Sequence, residues 1–176
     1  MLSLAIIAVL AYFFYAGAER GLWLQLVHVG GYLLSLVVAT LLYRPVGQAL
    51  SLWVPYPSAT QSSRFVFFSN QVGLTLDSAF YRGIGFLLVL AAGWLLTRFA
   101  ALWVHDLKYR GADQASLITG GVLNLVMGYI FIFMMLYVVA LIPLAGLQDM
   151  LANSFMARTI VRYSIGLTNW VTAMWL

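Results

Sequence analysis

The chain has 176 residues, of which 64% are hydrophobic and only 8% are Asp, Glu, Lys or Arg. Soluble domains carry about 25% charged residues, and so few charges cannot cover a water-facing surface. The composition therefore predicts an integral membrane protein that lies in a lipid bilayer, and it excludes a soluble enzyme and a disordered chain.

The nine basic residues give a net charge of +4, but they are scattered along the chain. Because no run of them forms a phosphate-following surface, nucleic acid is not expected as a partner. The chain has no cysteine, which excludes disulfides, thiolate metal sites and cysteine nucleophiles.

Four apolar segments are long enough for membrane-spanning helices, with approximate bounds 2–18, 22–42, 82–104 and 117–142. A cleaved signal peptide is the alternative for the first segment, since Ala16-Gly17-Ala18 resembles a cleavage site. No basic residue precedes that segment, which favours an uncleaved helix. We predict an all-α integral membrane protein, a four-transmembrane-helix bundle in a single membrane domain over 1–176, whose first two helices form an antiparallel hairpin.

Two further segments are predicted to lie at the membrane surface. Residues 43–81 contain three prolines and several aromatic residues, which indicates an interfacial connection; a re-entrant hairpin is the alternative. Residues 144–176 are predicted to form an amphipathic tail, because Arg158 and Arg162 share one helical face and Trp170 and Trp175 suit an interface. A fifth span over 160–176 is disfavoured, since it would carry Arg162 into the bilayer.

The charges of the loops indicate the orientation in the membrane only weakly, because the numbers of basic residues on the two sides are nearly equal. Lys108 and Arg110 lie in the short loop between the third and fourth spans, where the positive-inside rule has most weight. This favours both termini on the outer side of the membrane.

Few residues could carry chemistry. The two histidines, His28 and His105, are far apart and have no paired carboxylates near them, so no metal site is expected. There is no nucleophile-elbow motif and no phosphate-binding loop. We therefore expect no catalytic residue, no cofactor and no enzymatic activity.

Polar residues inside the predicted spans are the clearest candidates for a site. Steps of three and four place one stripe of them on the second helix: Gln25, His28, Tyr32 and Ser35. These side chains, and Asn124 in the fourth span, either form hydrogen bonds between helices or line a polar conduit or partner face. Arg98, near the far end of the third span, is interpreted as a snorkelling side chain; the alternative is a pore-lining or ion-paired arginine.

Small residues repeat every four positions on three of the spans, a spacing that allows helix backbones to approach closely. The pattern indicates a compact bundle or self-association without distinguishing the two. The candidate helix-packing residues are Gly31, Ser35 and Ala39 on the second span, Gly93, Thr97 and Ala101 on the third, and Gly120, Gly121, Asn124 and Gly128 on the fourth.

Three short stretches resemble motifs of the colicin V production protein family, CvpA. Arg20-Gly21-Leu22 resembles the family's turn after the first span, and Tyr43-Arg44-Pro45 resembles its aromatic-x-Pro ending of the second. Asp113-Gln114, followed by Gly120-Gly121 and Gly128, resembles its D-[RK]…GGxxGxxRG stretch. The chain departs from that pattern at Gln114, Asn124 and Met127, where a basic residue, a glycine and a basic residue are common.

The resemblance implies a bacterial cytoplasmic (inner) membrane protein that is needed for producing or exporting a peptide toxin. Two functions follow as expectations. The first is an accessory scaffold whose partner is an export or envelope membrane protein. The second is a homo-oligomeric channel or small-solute carrier with a pore lined by the polar face of the second helix.

Overall fold

The computed structural model describes residues 1–57, 59–60, 63–73, 75–110, 113–164 and 166–176. Within these ranges the chain is helical and has no strand, which confirms the all-α prediction. The helices are α1 (Leu2–Leu50), α2 (Asn70–Gly73), α3 (Leu76–Leu102), a 3₁₀-helix (His105–Tyr109), α4 (Gln114–Ala140), α5 (Ala145–Ala152), α6 (Phe155–Tyr163) and α7 (Leu167–Trp175).

Three of the helices, α1, α3 and α4, are long and apolar enough to cross a membrane. Helix α1 holds both of the first two predicted spans in 49 residues. A straight helix of that length would measure about 74 Å, more than twice the hydrocarbon core of about 30 Å.

Helix α1 is not straight, because Gly21 adopts φ 67° and ψ 176°, a conformation that is nearly restricted to glycine. Asn124 hydrogen-bonds to both Phe13 and Gln25, which would lie about 18 Å apart in an unbroken helix. Helix α1 therefore folds back at Gly21 into a first arm (residues 2–20) and a second arm (residues 22–50), as the predicted hairpin requires.

The helix ends differ from the predicted bounds of the spans. The second arm continues past 42, through Pro45, to Leu50, and α3 begins at Leu76 rather than 82. Proline costs the helix one hydrogen bond, but packing around it keeps the segment helical. The backbones at Gly47 and Gly85 lie in close contact, and the Tyr43 hydroxyl donates to the Met174 carbonyl at 3.1 Å.

The chain forms two compact units, and each of the three long helices contributes residues to both. The first unit comprises 1–6, 42–87 and 132–176. Its core contains the fully buried Trp175 ring, packed edge-on against Phe86 and Tyr137 at centroid distances of 5.7 and 5.6 Å. Arg82 donates to the Trp175 carbonyl at 2.9 Å and so holds the end of α7. Trp175 is thus a core residue of this unit, not the interfacial anchor that the sequence suggested.

The described residues of the tail, 144–164 and 166–176, form three short helices instead of one long amphipathic helix. Each has eight or nine residues, fewer than the roughly 20 that a span needs. Gly166, at φ 81°, separates α6 from α7, and the Ser154 side chain caps α6 by accepting from the Ala157 amide at 3.2 Å. Helix α6 exposes Arg158 and Arg162, and it buries Ala157, Ile160 and Val161.

The predicted interfacial connection belongs to the first unit, and hydrogen bonds join it to the C-terminal residues of that unit. The Tyr56 hydroxyl donates to the Leu141 carbonyl at 2.8 Å, and the Val66 amide donates to the Gln148 side chain at 3.0 Å. Burial, with a contribution from the negative charge of Asp77, raises the pKa of Tyr56 to about 12.

Candidate functional site

The second unit comprises residues 7–41 and 88–131, and it holds most of the predicted site residues. Its interior contains an amide cluster, which we define as Arg20, Gln25 and Asn124. Gln25 Nε2 donates to Asn124 Oδ1 at 3.0 Å, and Arg20 Nη1 donates to Gln25 Oε1 at 3.1 Å. Asn124 Nδ2 donates to the Phe13 carbonyl at 2.6 Å. One buried asparagine therefore links both arms of α1 to α4.

The turn at Gly21 is held by polar contacts with the start of α4. The break in α1 leaves the Leu22 amide without a helical acceptor, and this amide donates to Ser116 Oγ at 2.9 Å. Asp113 Oδ1 accepts from the Ser116 amide at 2.8 Å and so caps α4. Glu19 and Lys108 form an ion pair at 3.7 Å beside this turn.

The structure thus brings together Arg20, Gly21 and Asp113, three of the four residues predicted from the family turn motifs. The fourth, Pro45, belongs to the first unit. Sequence reasoning missed Ser116: Asp113 at the helix start is a capping signal, but no local signal marks the Ser116 hydroxyl as the acceptor for the distant Leu22 amide.

The polar stripe of the second arm is largely satisfied by partners within the chain. Gln25 belongs to the amide cluster, His28 Nδ1 lies 2.9 Å from the Leu24 carbonyl, and Ser35 Oγ donates to the Gly31 carbonyl at 2.7 Å. Tyr32 packs edge-on against the His28 ring at a centroid distance of 5.9 Å. Three of the four stripe residues therefore have a hydrogen-bond partner within the chain. A conduit along the stripe stays a prediction.

The second arm packs against α3 through the predicted small residues. A Cβ atom added at Gly31 would overlap the Thr97 side chain, and one added at Gly93 would overlap Ser35. The neighbouring Gly30, by contrast, has nothing within 4 Å of an added Cβ. The four-residue spacing therefore corresponds to close approach on one face of this arm.

Helix α4 packs against the first arm in the same way. Added Cβ atoms at Gly120, Gly121 and Gly128 would meet the Gly17 carbonyl at 2.7 Å, the Phe14 ring at 2.7 Å and Phe13 at 2.5 Å. Ala39 of the second arm is fully buried. Gly17, Gly31 and the three glycines of α4 are thus occupied by contacts between helices of this chain, whereas Gly30 is exposed.

A cavity of about 530 Å³ lies in the second unit, lined by residues of both arms, α3 and α4. Its walls are mostly aliphatic and aromatic, and they include Tyr32, Trp94 and Met127. Arg98 also lines it, with its guanidinium 4.8 Å from the centre of the Trp94 ring. Sequence reasoning found Arg98 and Tyr32 but not the cavity, because four separate segments form it.

His105 lies in the 3₁₀-helix, apart from the amide cluster in the sequence. Among the residues that the structure describes, no three His, Asp or Glu side chains lie together as metal ligands.

Comparison with known proteins agrees with the helical, apolar architecture. The profile of the family described as "Colicin V production protein" matches residues 2–175. The chain is 28% identical over 178 residues to the "Uncharacterized transmembrane protein YshB" of Bacillus subtilis (strain 168), and the match covers 99% of this chain and 97% of that protein. No solved structure matches the chain significantly. Three long apolar helices and a profile match over almost every residue show that this is a membrane protein of the colicin V production protein family.

Proposed function

We propose that the protein is a multi-pass scaffold of the bacterial cytoplasmic membrane. It assists the production or export of a colicin V-like peptide toxin, or the upkeep of the cell envelope, through helix–helix contacts with a partner membrane protein. The toxin connection rests on the family's description. The scaffold role rests on the arrangement of the helices and includes no enzymatic step.

The observation that carries the scaffold role is an exposed apolar stripe on α3. Leu88, Leu95, Phe99 and Leu102 are all exposed, and their steps of seven, four and three place them on one side of the helix. We call these four residues the α3 stripe. Gly31, Gly93 and the amide cluster pack inside the second unit, and we assign the exposed α3 stripe to a partner helix.

In this proposal both arms of α1 cross the bilayer, which gives four crossings with α3 and α4. Both termini then lie on the same side of the membrane, and the positive-inside rule favours the outer side. The tail lies along the membrane surface, a position supported by the exposed Arg158 and Arg162 of α6. Because the chain has no cysteine, single introduced cysteines at exposed loop positions test this topology with an impermeant thiol reagent.

The test of the scaffold role is complementation in a bacterium that secretes a colicin V-type toxin and lacks its own family member. We expect the chain to restore secretion, measured as the zone of growth inhibition around colonies. The double variant Leu95→Ala/Phe99→Ala truncates the α3 stripe and should lose this rescue. Leu96→Ala is the matched control, because Leu96 is also exposed but lies outside the stripe. Normal secretion without any family member, or equal effects of the variant and its control, would contradict the proposal.

A homo-oligomeric channel or small-solute carrier is the second candidate function. It is favoured by the cavity, since Tyr32 and Ser35 of the polar stripe line it together with Arg98. Purified protein in liposomes would then show solute flux that His28→Leu abolishes. Flux that is unchanged in this variant would remove the second arm as the pore lining.

A further inference from the structure

We propose that the cavity of the second unit holds one acyl chain of an anionic phospholipid, with the lipid phosphate bound by Arg98. This proposal does not depend on a role in toxin export. It rests on the shape, the walls and the charge of the cavity.

The cavity has the size and lining of a site for an apolar chain. Its volume of about 530 Å³ falls within the range of about 300–1,000 Å³ that is typical of small-molecule sites. Val9, Leu36, Leu90 and Ile130 contribute aliphatic walls from four different helical segments. The lining residues Leu90 and Arg98 are eight positions apart on α3, so the cavity extends about 12 Å along that helix.

The rim of the cavity is accessible from outside the protein. Tyr12, Leu33, Trp94 and Phe131 line the cavity, and each is exposed in part. All four belong to helices that are long and apolar enough to cross a membrane. When these helices cross the bilayer the rim faces lipid, and we therefore assign a membrane lipid rather than a soluble anion as the occupant.

Arg98 supplies a charge that lacks an anion. It lies about one turn before the end of α3 at Leu102, and its guanidinium lies over Trp94, one turn further into the helix. Within the described residues the guanidinium makes no hydrogen bond and no ion pair; its one recorded contact is with the Trp94 ring. In a membrane-spanning α3 this position near the helix end lies close to the lipid headgroups, where a phosphate can accept from two of those unused donors at once.

Titration of the purified full-length protein with phosphatidylglycerol and with phosphatidylcholine, followed by native mass spectrometry, tests the proposal. We expect phosphatidylglycerol to be preferred and Arg98→Gln to weaken its binding about tenfold, the effect of losing one charge-assisted contact. Arg110→Gln is the matched control, because Arg110 also stacks on a tryptophan, Trp23 at 5.2 Å, but does not line the cavity.

A second pair of variants tests the acyl chain. Ala91 lines the cavity and Ala92 does not, so Ala91→Trp should reduce the retention of both lipids while Ala92→Trp leaves it unchanged. Circular dichroism shows whether the tryptophan variants keep their helical content and therefore fold. If they do not fold, Arg98→Gln still tests the proposal, because its position is exposed and the substitution should not disturb folding.

Photoactivatable phosphatidylglycerol should label peptides of α1, α3 and α4 that line the cavity. Equal retention of the two lipids, or equal effects of Arg98→Gln and Arg110→Gln, would overturn the proposal. Displacement of phosphatidylglycerol by glycerol 3-phosphate alone would identify a soluble anion as the ligand and would overturn the assignment of an acyl chain.

Discussion

The contact between Gly31 and Thr97 predicts that two adjacent glycines respond to alanine with opposite signs. A methyl group at Gly31 would overlap Oγ1 and Cγ2 of Thr97 and lie 2.9 Å from its Cβ. Since the Cβ atom cannot swing away, the second arm and α3 must separate locally. Overpacking of this kind costs about 1–3 kcal/mol, against a gain of about 0.5–1 kcal/mol from replacing a helical glycine by alanine. We expect Gly31→Ala to lower the free energy of unfolding by about 1–2 kcal/mol.

Gly30 is the control for this measurement. Nothing lies within 4 Å of an added Cβ there, so Gly30→Ala should raise the free energy of unfolding by about 0.5–1 kcal/mol. The assay is reversible unfolding in mixed micelles of dodecyl sulfate and a mild detergent, followed by circular dichroism. Adding Thr97→Gly to Gly31→Ala removes the overlapping atoms and should recover part of the loss. Equal shifts for the two alanine variants, or no recovery in the double variant, would refute the packing argument.

Three further outcomes are expected from the same unfolding assay and from titration. Gly21→Ala should cost about 1–3 kcal/mol, because alanine strongly disfavours the positive φ of the turn, whereas Gly146→Ala, at an open position, should cost nothing. A double-mutant cycle of Gln25→Leu and Asn124→Leu should give a coupling energy of about 0.6–1.7 kcal/mol, and a value near zero would remove their hydrogen bond as a stabilising contact. Because the folded protein raises the pKa of Tyr56 to about 12, its neutral form adds stability below pH 10, which is lost as the pH rises towards 12. The wild type should lose this stability in that window relative to Tyr56→Phe, while identical pH profiles would contradict the shift.

The hairpin of α1 could be predicted from the sequence because its signals are local. A short polar turn between two apolar runs, with Gly21 at its end, specifies a reversal without reference to the rest of the chain. The capping of α4 by Asp113 is local in the same sense. The Phe13 carbonyl that accepts from Asn124 gave no such signal, since a backbone acceptor is present at every residue.

The ends of the helices were less predictable because contacts distant in the sequence determine them. Pro45 is a local signal for a helix end, yet the close approach of Gly47 and Gly85 keeps the second arm helical to Leu50. The environment of Trp175 is also determined by contacts that are distant in the sequence. A terminal tryptophan suits a membrane interface by composition, but Phe86 and Tyr137 enclose this one in the first unit.

Polar residues within the apolar helices fall into two groups, those with a hydrogen-bond partner in the chain and those without one. The structure distinguishes the two groups, whereas the sequence alone does not. Gln25 and Asn124 satisfy each other, so stability alone accounts for their cost in an apolar helix. Arg98 carries a full charge about one turn before the end of α3, where a long side chain can reach the lipid headgroups, and its contact with Trp94 leaves its hydrogen-bond donors unused. Packing therefore explains the amides but not the arginine. A lipid phosphate at the mouth of the cavity would accept from those donors, and this is why Arg98, rather than the polar stripe, is the residue to which we assign a ligand.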